Sequence, residues 1–406
     1  MDALLTRAAA NHGAAPIRNS GNDRSEPPPP GDGSRRRHPC GQIVLVFQGG
    51  GALGAYQVGV YEALHESGLE PDWVIGTSIG AINASIVAGN APENRMEKLR
   101  EFWARVEHGP LARAFASLPL VGPITASLAT MLQGIPAFFA PNLAAFGSAH
   151  VRLGAERAGY YSTAPLAATL KDLVDFRRIN GDGPRLTVGA ASVRTSEMRY
   201  FDSRDMALDL RHVLASGALP PAFPAVRIDG ELYWDGGILS NTPVEAVFDD
   251  IPRRNSLVFA VHIWNPSGPE PETIWEVMNR QKDIQYSSRA ATHIQRQKQM
   301  HRLRHIIAEL ARRLPTRERA DPEVEELAAY GCLTRMHVVR LLAPSLEGED
   351  HTKDIDFSPA GIQARWRAGY EDTIRVLEQA PWDGAFDPIE GFILHEARPG
   401  VVMTAG

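Results

Sequence analysis

Cysteine is almost missing from these 406 residues: only Cys40 and Cys332 occur, too few for a disulfide framework or a cysteine-based metal site. Nor is a secretory leader expected. The first fifteen residues include Asp2, Arg7 and Asn11 and no apolar core of the kind a secretory signal needs, so a cytoplasmic location is expected. Arg35, Arg36 and Arg37 precede an apolar run, but that run covers only 43–47, too short for a signal core or a membrane span. There is no excess of basic charge either. A net charge of −6 argues against general nucleic-acid binding. What remains, with 22% charged and 44% apolar residues, is an ordinary globular composition.

One stretch, 42–80, carries most of the chemistry. Ile43, Val44, Leu45, Val46 and Phe47 read as a strand buried on both faces. Gln48 and three consecutive glycines, Gly49, Gly50 and Gly51, follow. Then comes a helical pattern through Tyr56, Val60, Ala63 and Leu64. A second short strand, Trp73-Val74-Ile75, runs into Gly76-Thr77-Ser78-Ile79-Gly80 and another helix. Glycines on either side of Ser78 allow a sharp strand-to-helix turn that leaves its hydroxyl exposed. The position is also near a helix N-terminus, where developing negative charge is favoured. Backbone N–H groups in the triple glycine can converge on an oxyanion, an interaction whose loss costs roughly 10²–10³-fold in rate. Gly49, Gly51 and Gly54 also match a dinucleotide fingerprint. That reading needs an acid at the end of the second strand, where the serine turn stands instead; Glu70 and Asp72 come before the strand.

Further on lie Ala215-Ser216-Gly217, then Tyr233-Trp234-Asp235-Gly236-Gly237 and Asn241-Thr242-Pro243. The glycine loop, the Gly-Xaa-Ser-Xaa-Gly turn and the late Asp-Gly-Gly, in that order, resemble the patatin-like phospholipase family over roughly 42–265. The resemblance implies a three-layer α/β/α fold with a mostly parallel central sheet. It implies a lipid acyl hydrolase working through a Ser78–Asp235 dyad, with Gly49, Gly50 and Gly51 as the oxyanion hole and no metal or other cofactor. The implied substrate is a lipid or phospholipid ester; an acyl thioesterase and an inert lipid or acyl-chain binder are the alternatives. Leu53 departs from the pattern, since many relatives carry Arg or Lys there. His262 would complete the chain order of a Ser-Asp-His triad, but an oxyanion loop one helix before the serine fits a dyad better.

Residues 1–39, with four prolines at 27–30, are expected to be a disordered tail. The catalytic domain is expected over 40–265, with an amphipathic helix over 93–106, a helix over 206–218, and a capped helix start at Thr163-Ala164-Pro165. A hairpin turning at Asp229-Gly230 delivers Asp235. Segment 114–149 holds no Lys, Arg, Asp or Glu and reads as core, as a lid, or as a wall for acyl chains. A mostly helical extension, 266–390, is expected to contribute one strand, 335–342, to the sheet, and 391–406 reads as a loose tail. From 279 to 313 nine Lys or Arg stand against two Asp or Glu, with Leu303, Ile306, Ile307, Leu310 and Leu314 on one helical face. Such a helix can lie on an anionic membrane surface as a peripheral contact, or pack on an acidic patch of its own fold.

Overall fold

The computed structural model describes residues 38–107, 134–135, 137–147, 150, 152–346, 349–387, 389–398 and 401–405, all in the unit His38–Gly406. The tail expected at 1–39 lies, up to residue 37, outside the described residues, as does most of the uncharged segment 114–149.

Ten strands form one sheet: β1 (Gln42–Phe47), β2 (Trp73–Gly76), β3 (Arg185–Ser192), β4 (Met198–Asp202), β5 (Val226–Ile228), β6 (Glu231–Asp235), β7 (Ser256–His262), β8 (Met336–Leu342), β9 (Phe392–Arg398) and β10 (Val401–Ala405). Their order is β10-β9-β8-β7-β1-β2-β3-β6-β5, with β4 beside β3. The run from β9 to β3 is parallel throughout, and the pairings at both flanks are antiparallel. Strand side chains alternate between faces. Ile43, Leu45 and Phe47 therefore enter the larger core, while Val44 and Val46 enter a second one on the opposite face. That double burial is why β1 is apolar without interruption.

The main helices are α1 (Ala55–Glu66), α2 (Ile79–Ala88), α3 (Pro92–Arg105), α4 (Ala164–Leu173), α5 (Leu210–Ser216), α6 (Ile274–Arg313) and α7 (Pro359–Gln379). The amphipathic reading of α3 holds, with Met96, Leu99, Phe102 and Trp103 buried. Two starts differ from expectation. The helix expected over 206–218 begins only at Leu210, because Asp209 caps it and its side chain accepts the Arg211 N–H at 2.9 Å. Thr163 precedes α4 but makes no side-chain cap bond; the pattern found the start and misassigned its chemistry.

One larger correction concerns the C-terminal third. The end of the chain is not loose: β9 and β10 extend the sheet, and Phe392 and Leu394 pack in the second core with Phe248, Met336 and Val338. The apolar triplet Phe392-Ile393-Leu394 was the signal. On α6 the leucine side is not the side that packs on the rest of the fold. Asp283, Ser287, Ile294, His301 and His305 are buried, while Leu303 and Leu310 are 55% and 61% exposed. The imidazole of His301 supplies ring surface to Phe248 and Phe392, both 6.4 Å away between centroids. Among the described residues no helix is long and apolar enough to cross a membrane.

The extension is joined to the rest of the unit. The strand expected over 335–342 is present as β8, and it pairs with β7 along its whole length. Helix α7 packs on α1, where the Tyr56 hydroxyl donates to Asp372 at 2.8 Å and the Trp366 indole N–H to Glu62 at 2.5 Å.

Candidate active site

Parallel sheets bind ligands outside the carboxyl ends of their strands, and the register brings the two sequence motifs there together. Phe47 and Gly76 are partners across β1 and β2, so the glycine loop and the serine turn leave the sheet at one level. The turn is tight. A Cβ on Gly76 would lie 2.3 Å from the Gly80 carbonyl carbon, and one on Gly80 would lie 2.4 Å from the Phe47 carbonyl oxygen; both must be glycine. Ser78 itself sits at φ 56°, ψ −125°, a backbone conformation that costs an L-residue of order 1–3 kcal/mol. Its own N–H is held by Ser216, through the carbonyl at 3.2 Å and the hydroxyl at 3.1 Å. Ser216 donates in turn to the Gly189 carbonyl on β3 at 2.6 Å.

The three glycines play different parts. The N–H of Gly49 donates to the Asn241 carbonyl at 3.1 Å, so Gly49 does not offer a free donor. Its carbonyl accepts from the Asn241 amide at 3.0 Å and the Trp264 indole at 2.8 Å. The N–H groups of Gly50 and Gly51 have no acceptor among the described residues. Gly51 is at φ 55°, and a Cβ there would meet the Asp354 carbonyl oxygen at 2.2 Å. The loop is fastened on its far side by the Ala52 N–H, which donates to that same carbonyl at 2.9 Å. Gln48 is fully buried beneath it, accepting from the N–H groups of Ile263 and Trp264 at 2.6 and 3.0 Å.

Asp235 arrives at the end of β6, which the hairpin turn at Asp229-Gly230 (φ 48° and 87°) aligns with β5. Its carboxylate accepts the Gly237 N–H at 2.7 Å. Burial pushes the Asp235 carboxyl up to about 7; the Ser78 hydroxyl and the Gly237 N–H, both directed at it, act in the opposite sense. Ser78, Asp235, Gly50 and Gly51 line one cavity of ≈ 300 Å³, whose walls include Ile82, Phe138, Phe139, Leu166, Phe223 and Phe357. Phe138 and Phe139 come from the uncharged segment 114–149, and they serve here as cavity wall as well as core. Ring centroids of Phe139 lie 4.9 Å from Tyr161 and 5.7 Å from Phe223.

His262 is not brought to this cavity. It is 1% exposed at the end of β7, its Nε2 has no partner among the described residues, and burial lowers its pKa to about 3. Several residues at the site had no role in the sequence reading. Asn241 and Ser216 stand within quoted motifs, and a polar side chain amid small and apolar neighbours was the available signal. Tyr286 and Asp354 also line the cavity. They follow Ser78 by more than 200 residues, and only the packing of α6 and of the segment before α7 reveals them. The Tyr286 hydroxyl is held above its ordinary value by burial, then by the charges of Asp235 and Asp354.

Comparison with known proteins places this geometry in context. A family model described as patatin-like phospholipase matches residues 45–248, and a second, described as patatin phospholipase, matches 284–389. The chain is similar to Lysophospholipase nte1 of Aspergillus terreus, 52% identical over 56 residues, 14% of this chain and 4% of that one. It is similar to Patatin-like phospholipase domain-containing protein 7 of Mus musculus, 29% identical over 204 residues, 50% of this chain and 12% of the other. The matches thus cover only a small part of these relatives. Among solved structures it is similar to VipD from Legionella pneumophila, with a TM-score of 0.33 and 15% identity, over 84% of this chain and 69% of that one. With half of its length matched by the first model alone, the chain belongs to the patatin-like phospholipase family.

Proposed function

We propose that the protein is a serine acyl hydrolase that cleaves carboxylic ester bonds of lipids. The observation that carries this reading is the convergence of Ser78, Asp235 and the free N–H groups of Gly50 and Gly51 on one largely apolar cavity. In this scheme Asp235 accepts the Ser78 proton as the hydroxyl oxygen attacks the acyl carbonyl. The Gly50 and Gly51 amides hold the resulting oxyanion. Asp235 returns the proton to the departing alcohol, then takes one from the water that releases the acid. The acyl chain lies along the phenylalanine wall.

The deciding experiment is labelling of the intact protein with a fluorophosphonate probe, followed by turnover assays on phospholipids, glycerides and acyl thioesters. Stoichiometric labelling of Ser78, with turnover of a lipid ester, is expected. An unlabelled Ser78 would leave the inert-binder reading, and turnover confined to thioesters would leave the thioesterase.

The same reading includes contact with a membrane surface through the basic stretch 279–313. It is supported by the exposure of Met300, Leu303, Ile306 and Leu310 beside Arg296 and Arg302, apolar and cationic groups that suit an anionic interface. Replacing Arg296 and Arg302 by glutamate is expected to weaken sedimentation with anionic vesicles at least several-fold. Unchanged binding would remove this surface from consideration.

A further inference from the structure

The segment from Glu349 to Phe357 crosses the back of the glycine loop as a strap, and every part of it is fastened. On α6, Lys282 and Asp283 face the dipeptide Lys353-Asp354 of the strap, and the pairing is crossed: Lys282 pairs with Asp354 at 2.6 Å, and Asp283 with Lys353 at 2.7 Å. The second pair is buried, with side chains 10% and 6% exposed. Lys282 also donates to the His351 carbonyl at 2.8 Å. The His351 ring stacks on Trp275 at 4.1 Å. From α7, the buried Arg365 holds both ends, reaching Glu349 at 3.2 Å, the Asp356 carbonyl at 3.0 Å and its carboxylate at 3.3 Å.

Part of this fastening bears directly on the glycine loop. The Asp354 carbonyl, locked between the two ion pairs, receives the Ala52 N–H and abuts Gly51, where no side chain would fit. The Lys353 ammonium lies 5.4 Å from the ring of Trp264, whose indole N–H holds the Gly49 carbonyl. Ile355 and Phe357 of the same strap form part of the cavity wall. A surface loop needs no buried ion pair to stay attached, because burying two charges is expensive unless their geometry is fixed. The arrangement makes sense as a means of setting the direction of one peptide carbonyl.

We propose that the strap is a positioning element for the oxyanion donors: the crossed pairs Lys282–Asp354 and Asp283–Lys353 aim the Gly50 and Gly51 amides at the reacting carbonyl. Lys353 and Asp283 are positioning residues and touch no substrate. The inference rests on the hydrolase reading, and it gives the second matched segment a part in turnover. Slackening the latch lets the amides drift from where the oxyanion forms, and a displacement of about 1 Å can cost 10²-fold. The Ser78–Asp235 pair, carried by the turn after β2 and by β6, stays in place.

The test uses full-length wild type, Lys353→Met, Lys282→Met and the exchanged double variant Asp283→Lys/Lys353→Asp, assayed on a water-soluble short-chain aryl ester, with circular dichroism to establish folding. The two single variants are expected to lose roughly 10- to 100-fold in kcat. KM should change less than about threefold, because donors that act on the developing oxyanion contribute to the transition state and not to ground-state binding. The acid limb of the pH profile should stay where it is in wild type. The exchanged double variant should regain most of the kcat lost in Lys353→Met. Folded single variants with wild-type kcat, or a loss confined to KM, overturn the proposal. Should Lys353→Met fail to fold, Lys282→Met, whose side chain is 28% exposed, decides alone. Absence of ester turnover in the wild type would instead refute the hydrolase reading itself, so the two failures are distinguishable.

Discussion

Replacing Ser78 by alanine is expected to cut ester turnover by about 10⁴-fold or more and to leave the thermal midpoint close to wild type. The reason for the first effect is chemical: without the hydroxyl there is no acyl-enzyme, and the remaining oxyanion donors and cavity supply only binding and polarisation. The reason for the second is local. Among the described residues the Ser78 hydroxyl is directed at Asp235, and the turn is held by other groups, with the Ser78 N–H on the Ser216 carbonyl and hydroxyl and the Thr77 N–H on the Phe47 carbonyl at 3.2 Å. A companion variant separates catalysis from strain. At φ 56°, ψ −125° any side chain is unfavourable, so Ser78→Gly should be equally inactive yet more stable than wild type by ~1 kcal/mol, after allowance for the greater unfolded-state entropy of glycine. Burst titration, steady-state kinetics and urea denaturation on the three proteins measure both effects. Undiminished hydrolysis by Ser78→Ala would end the assignment of this serine as nucleophile.

That strained turn is also where the sequence was most legible. Gly76 and Gly80 are dictated by contacts of 2.3 and 2.4 Å, and such backbone demands admit only one residue type, so they are visible as a pattern. The same holds for the Asp229-Gly230 hairpin turn and for the uninterrupted apolar β1. Legibility faded where a role depends on partners distant in the chain. Nothing in the sequence separates Gly49 from Gly50 and Gly51; the difference arises because Asn241, nearly 200 positions later, takes the first amide. Lys353 and Asp354 read as two ordinary charges until α6 presents Asp283 and Lys282 opposite them. The buried side of α6 was not legible for a related reason: hydropathy counts histidine as polar, whereas a neutral imidazole packed against Phe248 and Phe392 fills space as an aromatic ring does. Burial keeps His301 neutral, with its pKa lowered to about 4.

Asp235→Asn should produce the second large effect, and with it a gain in stability whose size depends on pH. A carboxyl that titrates near 7 in the folded protein and near 3.8 when exposed is bound more tightly to its proton in the native state. Its contribution to folding is therefore fully favourable below about 3.8, declines as pH rises through the interval, and has been lost above about 7. The difference amounts to as much as ~4 kcal/mol, because at high pH the native state must hold an unpaired buried charge. Asparagine carries no charge and can still accept the Gly237 N–H. The variant is thus expected to melt several degrees above wild type at pH 8, with the gap closing as pH falls toward 5. Catalysis runs the other way. Only the ionised carboxylate can take the Ser78 proton, so wild-type kcat/KM should rise tenfold per pH unit below about 7 and level off above it, while Asp235→Asn should be inactive throughout. Calorimetric scans and pH–rate profiles on the same two proteins test the coupling. A wild-type acid limb near pH 4, or a variant no more stable at pH 8 than wild type, would mean that Asp235 is ionised without cost and is not the buried base. If both curves turn near pH 7, one carboxylate accounts for each, and the energy spent on keeping it charged in an apolar cavity is the energy that makes it basic enough to activate a serine.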